Sequence, residues 1–147
     1  MSLPEIQRFA SCTCGWLQVR CEGEPVRVSM CHCADCQRRT GSVFSIAAFF
    51  RREAVKVAHG KSKNFIRNSA VGTQVLFHFC PDCGSTLYWE PERMPDLIGV
   101  AVGGFADPTF PKPEQSVWTA NKHAWLDLPD DVAAHDMMPP PREPSTS

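Results

Sequence analysis

The chain has 147 residues, of which 43% are hydrophobic, and its formal net charge is -1 at pH 7. This length and composition are typical of one compact domain with its own core. The near-neutral charge excludes the basic surface that neutralises several phosphates, so no nucleic-acid partner is expected. No membrane is expected either, since the longest apolar stretches, Val43 to Phe50 and Leu97 to Val102, are far shorter than the ~20 residues of a spanning helix.

The first predicted elements are strands. Apolar and polar residues alternate from Leu17 to Cys21 and again from Val26 to Met30, and a turn-forming Glu-Gly-Glu-Pro segment lies between them. This pattern predicts a β-hairpin. Residues 37–41 predict a short helical turn that ends at Gly41, and the apolar run from Val43 to Phe50 predicts a strand buried on both faces.

The rest of the chain continues the strand pattern. Two weaker strands are predicted at Val55 to His59 and Ser62 to Arg67, and a stronger one leads from Gly72 into Cys80. Further extended segments are predicted at Thr86 to Glu90, Leu97 to Val102, Val117-Trp118 and Trp125-Leu126. No segment has a long 3.6-residue period, so the sequence predicts a mainly β protein with its tryptophans in the core or at the rims of the sheets.

The domain boundary is expected near Pro129. Residues 1–130 form the predicted domain, and residues 131–147 form a proline-rich C-terminal tail whose composition offers little to bury. We therefore expect the tail to be mobile.

Seven of the eight cysteines lie in three short clusters. The clusters are Cys12-Thr13-Cys14, Cys31-His32-Cys33-Ala34-Asp35-Cys36 and Cys80-Pro81-Asp82-Cys83. Cysteines one or two residues apart can both turn toward one ion on a tight backbone knuckle, so the spacing indicates zinc. The alternative is a disulfide framework. It is disfavoured because residues 1–5 lack the basic start and apolar run of a secretory signal, which favours a reducing cytoplasm.

Two of the clusters predict a closed zinc site. Two-residue knuckles from distant parts of the chain make the usual structural tetrahedron, so we assign one zinc (Zn2+) to Cys12, Cys14, Cys80 and Cys83. Structural zinc contributes on the order of 10–16 kcal/mol in small peptides, as much as the ~5–15 kcal/mol net stability of a domain. The fold is therefore expected to depend on this site, unless the four are ordinary buried cysteines.

The remaining cluster predicts an open site. Cys31, Cys33 and Cys36 would hold a second zinc whose fourth position is free. Three thiolates make bound water a weak acid, so hydrolysis is disfavoured, and a soft thiol suits the fourth position. The expected chemistry is therefore at sulfur.

Closure of this site by a fourth protein ligand is the alternative. His32, His78 or Cys21 could be that ligand, although His32 lies between two ligands and Cys21 continues an apolar strand face. Asp35 and His32 are the nearby candidates for a general acid or base. The other three histidines have no companions at ligand spacing, so surface or core roles are expected for His59, His123 and His135.

Two arginines follow the open cluster directly. Arg38 and Arg39 could hold the carboxylate of a peptide-like thiol such as glutathione in a bidentate fork. A solvated pair of charges is the alternative reading of the same residues.

Four motifs together resemble the glutathione-dependent formaldehyde-activating enzyme (GFA) family, also called the centromere protein V/GFA domain family. They are Cys-x-Cys-Gly at 12–15, Cys-His-Cys-x-x-Cys-x-x-x-x-Gly-Ser at 31–42, Phe-Cys-x-x-Cys-Gly-Ser at 79–85, and Asn-Lys-His-Ala-Trp at 121–125 with Leu128-Pro129. The resemblance covers the chain from about Cys12 to Pro129. Cys21 departs from it, because an apolar or aromatic residue is expected there in relatives, but it belongs to neither site.

The resemblance implies a zinc-containing β-tent of packed antiparallel sheets, with the same division of the cysteines into a structural and a catalytic zinc. It also implies a carbon-sulfur lyase that forms or cleaves the adduct of glutathione and formaldehyde, S-hydroxymethylglutathione. Because one fold hosts many functions, a non-catalytic zinc-binding scaffold and a thiol- or metal-sensing module remain alternatives. The scaffold is suggested by the family's vertebrate centromere and microtubule-associated member, but this sequence lacks a long basic or proline-rich N-terminal extension.

Overall fold

The computed structural model of the chain describes residues 6–69 and 71–139. Strands dominate this part of the chain, which confirms the mainly β prediction. The strands are β1 Gln7–Ser11, β2 Gln18–Glu22, β3 Arg27–Cys31, β4 Ser45–Arg51, β5 Val55–His59, β6 Lys63–Asn68, β7 Gln74–Phe79, β8 Thr86–Pro91, β9 Leu97–Ala101, β10 Gln115–Val117 and β11 Ala133–Ala134. The α-helix α1 spans Ala34–Thr40, and 3-10 helices span Arg52–Ala54, Val102–Phe105 and Thr119–Asn121.

The described chain divides into two compact units. The first comprises residues 6–28 and 46–112, and the second comprises residues 29–45 and 113–139. None of the helices in these ranges combines the length and the apolar character needed to cross a membrane.

The first unit contains two antiparallel arrangements of strands. β2 pairs with both β1 and β5, and five other strands follow one another in the order β4-β9-β8-β7-β6. Alternating side chains from both arrangements form one core, in which Leu17, Val19, Phe50, Leu87 and Val100 are fully buried. β4 buries residues on both faces, as its continuous apolar run predicts.

The second unit is smaller and contains α1. β10 pairs in parallel with β3 and with β11, so that Ser116 lies opposite Met30 on one side and Ala134 on the other. The helix ends at Gly41, which adopts a left-handed φ of 71° and donates its backbone N–H to the carbonyl of Gln37. The predicted helical turn and its glycine end are thus confirmed.

The predicted hairpin between β2 and β3 is wrong. β2 pairs with β1 and β5, whereas β3 pairs in parallel with β10. The segment between them is bonded elsewhere, because Gly23 donates its N–H to the carbonyl of Ile6 and Val26 donates to that of Phe49. Pro25 has no N–H with which to close a two-residue turn.

Two short strands and one turn also differ from the sequence predictions. β1 is not predicted because it has one buried residue, Ala10, and exposes Phe9, so it lacks an alternating apolar pattern. β11 is too short to give a pattern. The expected extended segment at Trp125-Leu126 is instead a turn in which Leu126 donates its N–H to the carbonyl of His123. Trp125 is 68% exposed, so the core or rim role predicted for it is wrong.

The predicted boundary between domain and tail stays a prediction. Residues 140–147 of the predicted tail lie outside the described residues, as do residues 1–5. Within the described part, Val132 is buried and Ala133–Ala134 pairs with β10.

A polar network crosses β7 and β8. The ring of His78 exchanges hydrogen bonds with the Ser62 hydroxyl at 2.7 Å and with the Glu90 carboxylate at 2.6 Å, and it stacks on Tyr88. Arg52 donates to the second oxygen of Glu90. Burial raises the pKa of Glu90, but the hydrogen bonds and charges of Arg52 and His78 outweigh it and hold that pKa below its ordinary value.

The network predicts a pH dependence. Because the pKa of Glu90 is lowered by folding, its contribution to the free energy of unfolding is complete above the ordinary carboxyl pKa and is lost as the pH falls through the folded-state pKa. Glu90→Gln should therefore lower the free energy of unfolding by about 1 kcal/mol at pH 7, since the pair is partly exposed. Urea titrations from pH 7 downward should show the gap to wild type narrowing below about pH 4.5.

Glu53→Gln is the matched control, because Glu53 is exposed and makes no hydrogen bond or ion pair with the described residues. It should leave the free energy of unfolding within about 0.5 kcal/mol of wild type at each pH. A Glu90→Gln gap that stays constant to the acid end of the folded range would contradict the role assigned to this carboxylate.

A second prediction concerns the packing of β9 against β8. Gly99 lies opposite Trp89, and a Cβ at this position would overlap the Trp89 indole nitrogen. Trp89 is itself buried against Phe77, so its ring has little room to move. Gly99→Ala should therefore lower the free energy of unfolding by about 1–3 kcal/mol. The matched control is Gly103→Ala, because a Cβ at Gly103 would meet no atom within 4 Å. It should leave the free energy of unfolding within about 0.5 kcal/mol of wild type. Equal effects of the two substitutions in urea unfolding would disprove this packing argument.

Candidate metal centres

The first sulfur cluster is built from two backbone knuckles that follow strand ends in the first unit. β1 leads into Cys12, whose carbonyl accepts the N–H of Gly15 and whose sulfur accepts the N–H of Leu17 at 3.2 Å. β7 leads into Cys80, whose carbonyl accepts the N–H of Gly84 at 2.8 Å. Gly15 and Gly84 both have positive φ, of 83° and 78°, which lets the chain turn tightly enough to bring the paired sulfurs together.

The four sulfurs of this cluster have the spacing of a tetrahedral site. The Sγ atoms of Cys12 and Cys14 are 3.6 Å apart, as are those of Cys14 and Cys80, and all four including Cys83 lie within 4.8 Å of one another. Zinc–sulfur bonds of about 2.3 Å in a tetrahedron place the sulfurs about 3.8 Å apart. A disulfide would require about 2.05 Å, and all eight cysteines are free thiols. The donor set therefore fits a zinc ion.

The protonation of these thiols also indicates a place for a cation. The backbone hydrogen bond from Trp16 lowers the pKa of Cys14, but desolvation and the neighbouring sulfurs outweigh it and raise that pKa to about 12. In contrast, hydrogen bonds from the Ser85 hydroxyl and backbone lower the pKa of Cys83 to about 5. Without a cation only part of the set can ionise, because adjacent thiolates repel one another; a divalent metal removes this repulsion.

The second cluster lies in the second unit, where β3 leads into α1. Cys31 is the last residue of β3, Cys33 is the N-cap of α1, and Cys36 is buried in the first turn of the helix. The Cys33 sulfur accepts the N–H of Cys36 at 3.3 Å, and the three sulfurs lie within 4.8 Å of one another. Hydrogen bonds from the sulfurs of Cys33 and Cys36 raise the pKa of Cys31, so this trio too is crowded in the absence of a positive charge.

No fourth histidine, cysteine, aspartate or glutamate joins this trio within residues 6–69 and 71–139. His32 is fully buried and its Nε2 lies 2.7 Å from the Ser116 hydroxyl. Cys21 is a core thiol, as expected, and burial raises its pKa to about 12. His78 belongs to the polar network of the first unit. In the described chain the candidate ligands of the second cluster are therefore these three cysteines.

The two arginines after this cluster differ in their surroundings. Arg38 is exposed in the last turn of α1, whereas Arg39 is half-buried and donates to the Ser45 hydroxyl at 2.8 Å. Asp35, the predicted acid or base, lies half-buried in the first turn of the same helix. Of the residues predicted for substrate binding, Arg38 is thus the one open to solvent.

The sequence predictions missed the contact between α1 and the loop after β10. The Gln37 amide donates to the carbonyl of His32 at 2.8 Å and accepts from Nε2 of His123 at 3.1 Å. The loop is closed by Lys122, whose ammonium group donates to the carbonyl of Leu126 at 2.6 Å. The sequence predicts a surface or core role for His123, because no companion ligand lies at metal-binding spacing from it. The signal that could have indicated its contact with α1 is the family-like segment 121–125.

Comparison with known proteins identifies a family. The sequence profile of the family described as "Glutathione-dependent formaldehyde-activating enzyme" matches residues 7–121. A protein of Colletotrichum graminicola that carries this name provisionally is 33% identical over 89 residues, which cover 54% of this chain and 45% of the relative. A Fusarium vanettenii protein with the same provisional name is 28% identical over 88 residues, 54% of this chain and 46% of the relative. The match thus spans a little less than half the length of these curated relatives.

A solved structure resembles the fold. The crystal structure of a Rhodobacter sphaeroides protein superposes with a TM-score of 0.55 at 23% identity, covering 68% of this chain and 91% of that one. The family profile extends over well more than half of the chain and includes all three cysteine clusters. The chain therefore belongs to the glutathione-dependent formaldehyde-activating enzyme family.

Proposed function

We propose that the chain is a zinc-dependent carbon-sulfur lyase-type enzyme that joins the thiol of glutathione to formaldehyde, or cleaves the resulting S-hydroxymethyl adduct. The observation that carries this proposal is the trio of Cys31, Cys33 and Cys36, which has no fourth protein ligand in the described chain and belongs to a family named for this activity. A closed four-sulfur site would have no room for a substrate.

The two clusters would have different roles. Cys12, Cys14, Cys80 and Cys83 would hold a structural zinc, because four sulfurs complete its tetrahedron. Cys31, Cys33 and Cys36 would hold the second zinc, which supplies the positive charge that keeps a thiol substrate ionised at neutral pH. A soft sulfur is the ligand best matched to the remaining position, and it stays nucleophilic toward the carbonyl carbon of an aldehyde.

The chain's own residues would bind and orient the substrate. Arg38 is exposed on α1 directly after Cys36, so its guanidinium could reach a carboxylate of glutathione. Arg39, already bonded to Ser45 in the same unit, would hold the end of the helix in place. Seven of the cysteines are grouped as candidate metal ligands, a use of cysteine that is typical of a reducing compartment, and we propose the cytoplasm.

The structural zinc predicts a test by metal removal. A strong chelator at neutral pH should abolish the cooperative unfolding transition, because zinc binding at such a site is worth on the order of 10–16 kcal/mol. Cys80→Ser should lose one of two zinc ions and unfold without added metal. The matched control is Cys21→Ala, which removes a thiol that is equally buried but lies outside both clusters. It should keep both ions in metal analysis. A cooperative, zinc-free Cys80→Ser protein would overturn the structural assignment.

The activity is tested with Cys33→Ser. Serine keeps the N-cap of α1, because its hydroxyl can accept the Cys36 N–H as the Cys33 sulfur does, but it removes one soft zinc ligand. The variant should fold, lose the second zinc, and form the glutathione-formaldehyde adduct no faster than buffer when followed by NMR. Cys21→Ala should keep the wild-type rate.

The wild-type rate itself decides between the enzyme and its alternatives. A wild-type protein that holds both zinc ions but accelerates the reaction no more than buffer would overturn the enzymatic proposal. It would favour a non-catalytic scaffold or a thiol or metal sensor on the same fold.

A further inference from the structure

The contact between Gln37 and His123 lies in the same small unit as the three-cysteine cluster. Gln37 follows Cys36 in α1, and its backbone N–H donates to the carbonyl of Cys33. Its side chain reaches the loop after β10 and bonds the ring of His123.

The hydrogen bonds of Gln37 fix which way its amide points. The amide nitrogen donates to two backbone carbonyls, those of His32 at 2.8 Å and Asn121 at 3.4 Å. A carbonyl can only accept, so the amide oxygen must be the atom that faces Nε2 of His123. That oxygen in turn can only accept, which requires Nε2 of His123 to carry a proton.

The neutral ring of His123 therefore has its lone pair on Nδ1. Nδ1 has no hydrogen-bond partner among the described residues, and the side chain is half-buried. No group of the described chain therefore occupies this nitrogen. A neutral imidazole with one nitrogen anchored and the other bare has the arrangement of a general base.

His123 is also close to the cluster. Its partner Gln37 directly follows Cys36 in α1 and bonds the carbonyl of His32, the residue between Cys31 and Cys33. His32 also has one bonded nitrogen, Nε2, and an Nδ1 without a partner among the described residues, but its side chain is fully buried and therefore closed to a substrate. His123 is thus the partly exposed histidine of this region.

We propose that His123 is the base that accepts the proton of the thiol substrate at the three-cysteine site, and that Gln37 is a positioning residue that holds its ring in the competent tautomer. The inference rests on the proposed function. The S–H bond of the thiol breaks and its proton goes to Nδ1. The electron pair left on sulfur forms the bond to the formaldehyde carbon, and the π electrons of the carbonyl group move to its oxygen. The alkoxide then takes the proton back from Nδ1, so that the product is the S-hydroxymethyl adduct and the base is regenerated.

The test compares His123→Ala with His135→Ala. His135 lies in the same unit, is also half-buried, and its ring makes no hydrogen bond with the described residues, so it is the matched control. His123→Ala should retain both zinc ions and lose about 10²- to 10⁴-fold in the rate of adduct formation. Imidazole added to the buffer should restore part of that rate, and His135→Ala should resemble wild type.

A second measurement is independent of activity. Nitrogen NMR of the histidine rings should show a protonated Nε2 and a bare Nδ1 for His123 in the wild-type protein. Gln37→Leu removes the acceptor while keeping the size of the side chain. It should move both nitrogen signals toward the averaged values of a ring that exchanges between tautomers, and should lower the rate with metal content unchanged.

The outcomes separate this inference from the proposed function. If the wild-type protein accelerates adduct formation and His123→Ala does so equally well, the base assignment is wrong and the enzyme stands. If His123→Ala loses activity together with zinc and imidazole restores nothing, His123 supports the fold instead and the inference fails. If the wild-type protein has no activity over buffer, both fail.

Discussion

The crowding of sulfur is the constraint on which the rest of the structure depends. Thiols held 3.6 Å apart cannot all ionise together without a positive charge among them. Desolvation and the neighbouring sulfurs raise the pKa of Cys14, whereas the hydrogen bonds of Ser85 lower the pKa of Cys83. In the first unit this crowding occurs where β1 and β7 end, and a cation shared by the sulfurs would relieve it.

The second unit positions its cysteine sulfurs in a different way. Its three sulfurs come from a strand end, an N-cap and a helix turn, so α1 itself orients two of them. The side chain of Gln37 then links the helix by a hydrogen bond to His123 in the loop after β10. A short helix thus connects the cysteines that we propose bind zinc to the histidine that we propose acts on the substrate.

Sequence patterns predicted most of the strands and both cysteine groups, for physical reasons that are local. The apolar patterns of β4 and β7 lie within each strand's own sequence, and the spacing of the cysteines in a knuckle involves only residues close together in the chain. The pairing of β3 with β10 was not predictable in this way, because it joins segments far apart in the chain. His123 was missed for the same reason: its partner Gln37 is 86 positions away.

The two sulfur groups differ in how far apart their members lie in the chain. Cys31, Cys33 and Cys36 are synthesised almost together, so they could bind an ion before most of the chain has been translated. Cys14 must wait for Cys80, which is 66 positions later. During translation the four-sulfur group therefore exists first as a two-thiol half-site. In that interval the two neighbouring thiols would be open to disulfide exchange, whose rate depends on the thiolate fraction and the accessibility of each thiol.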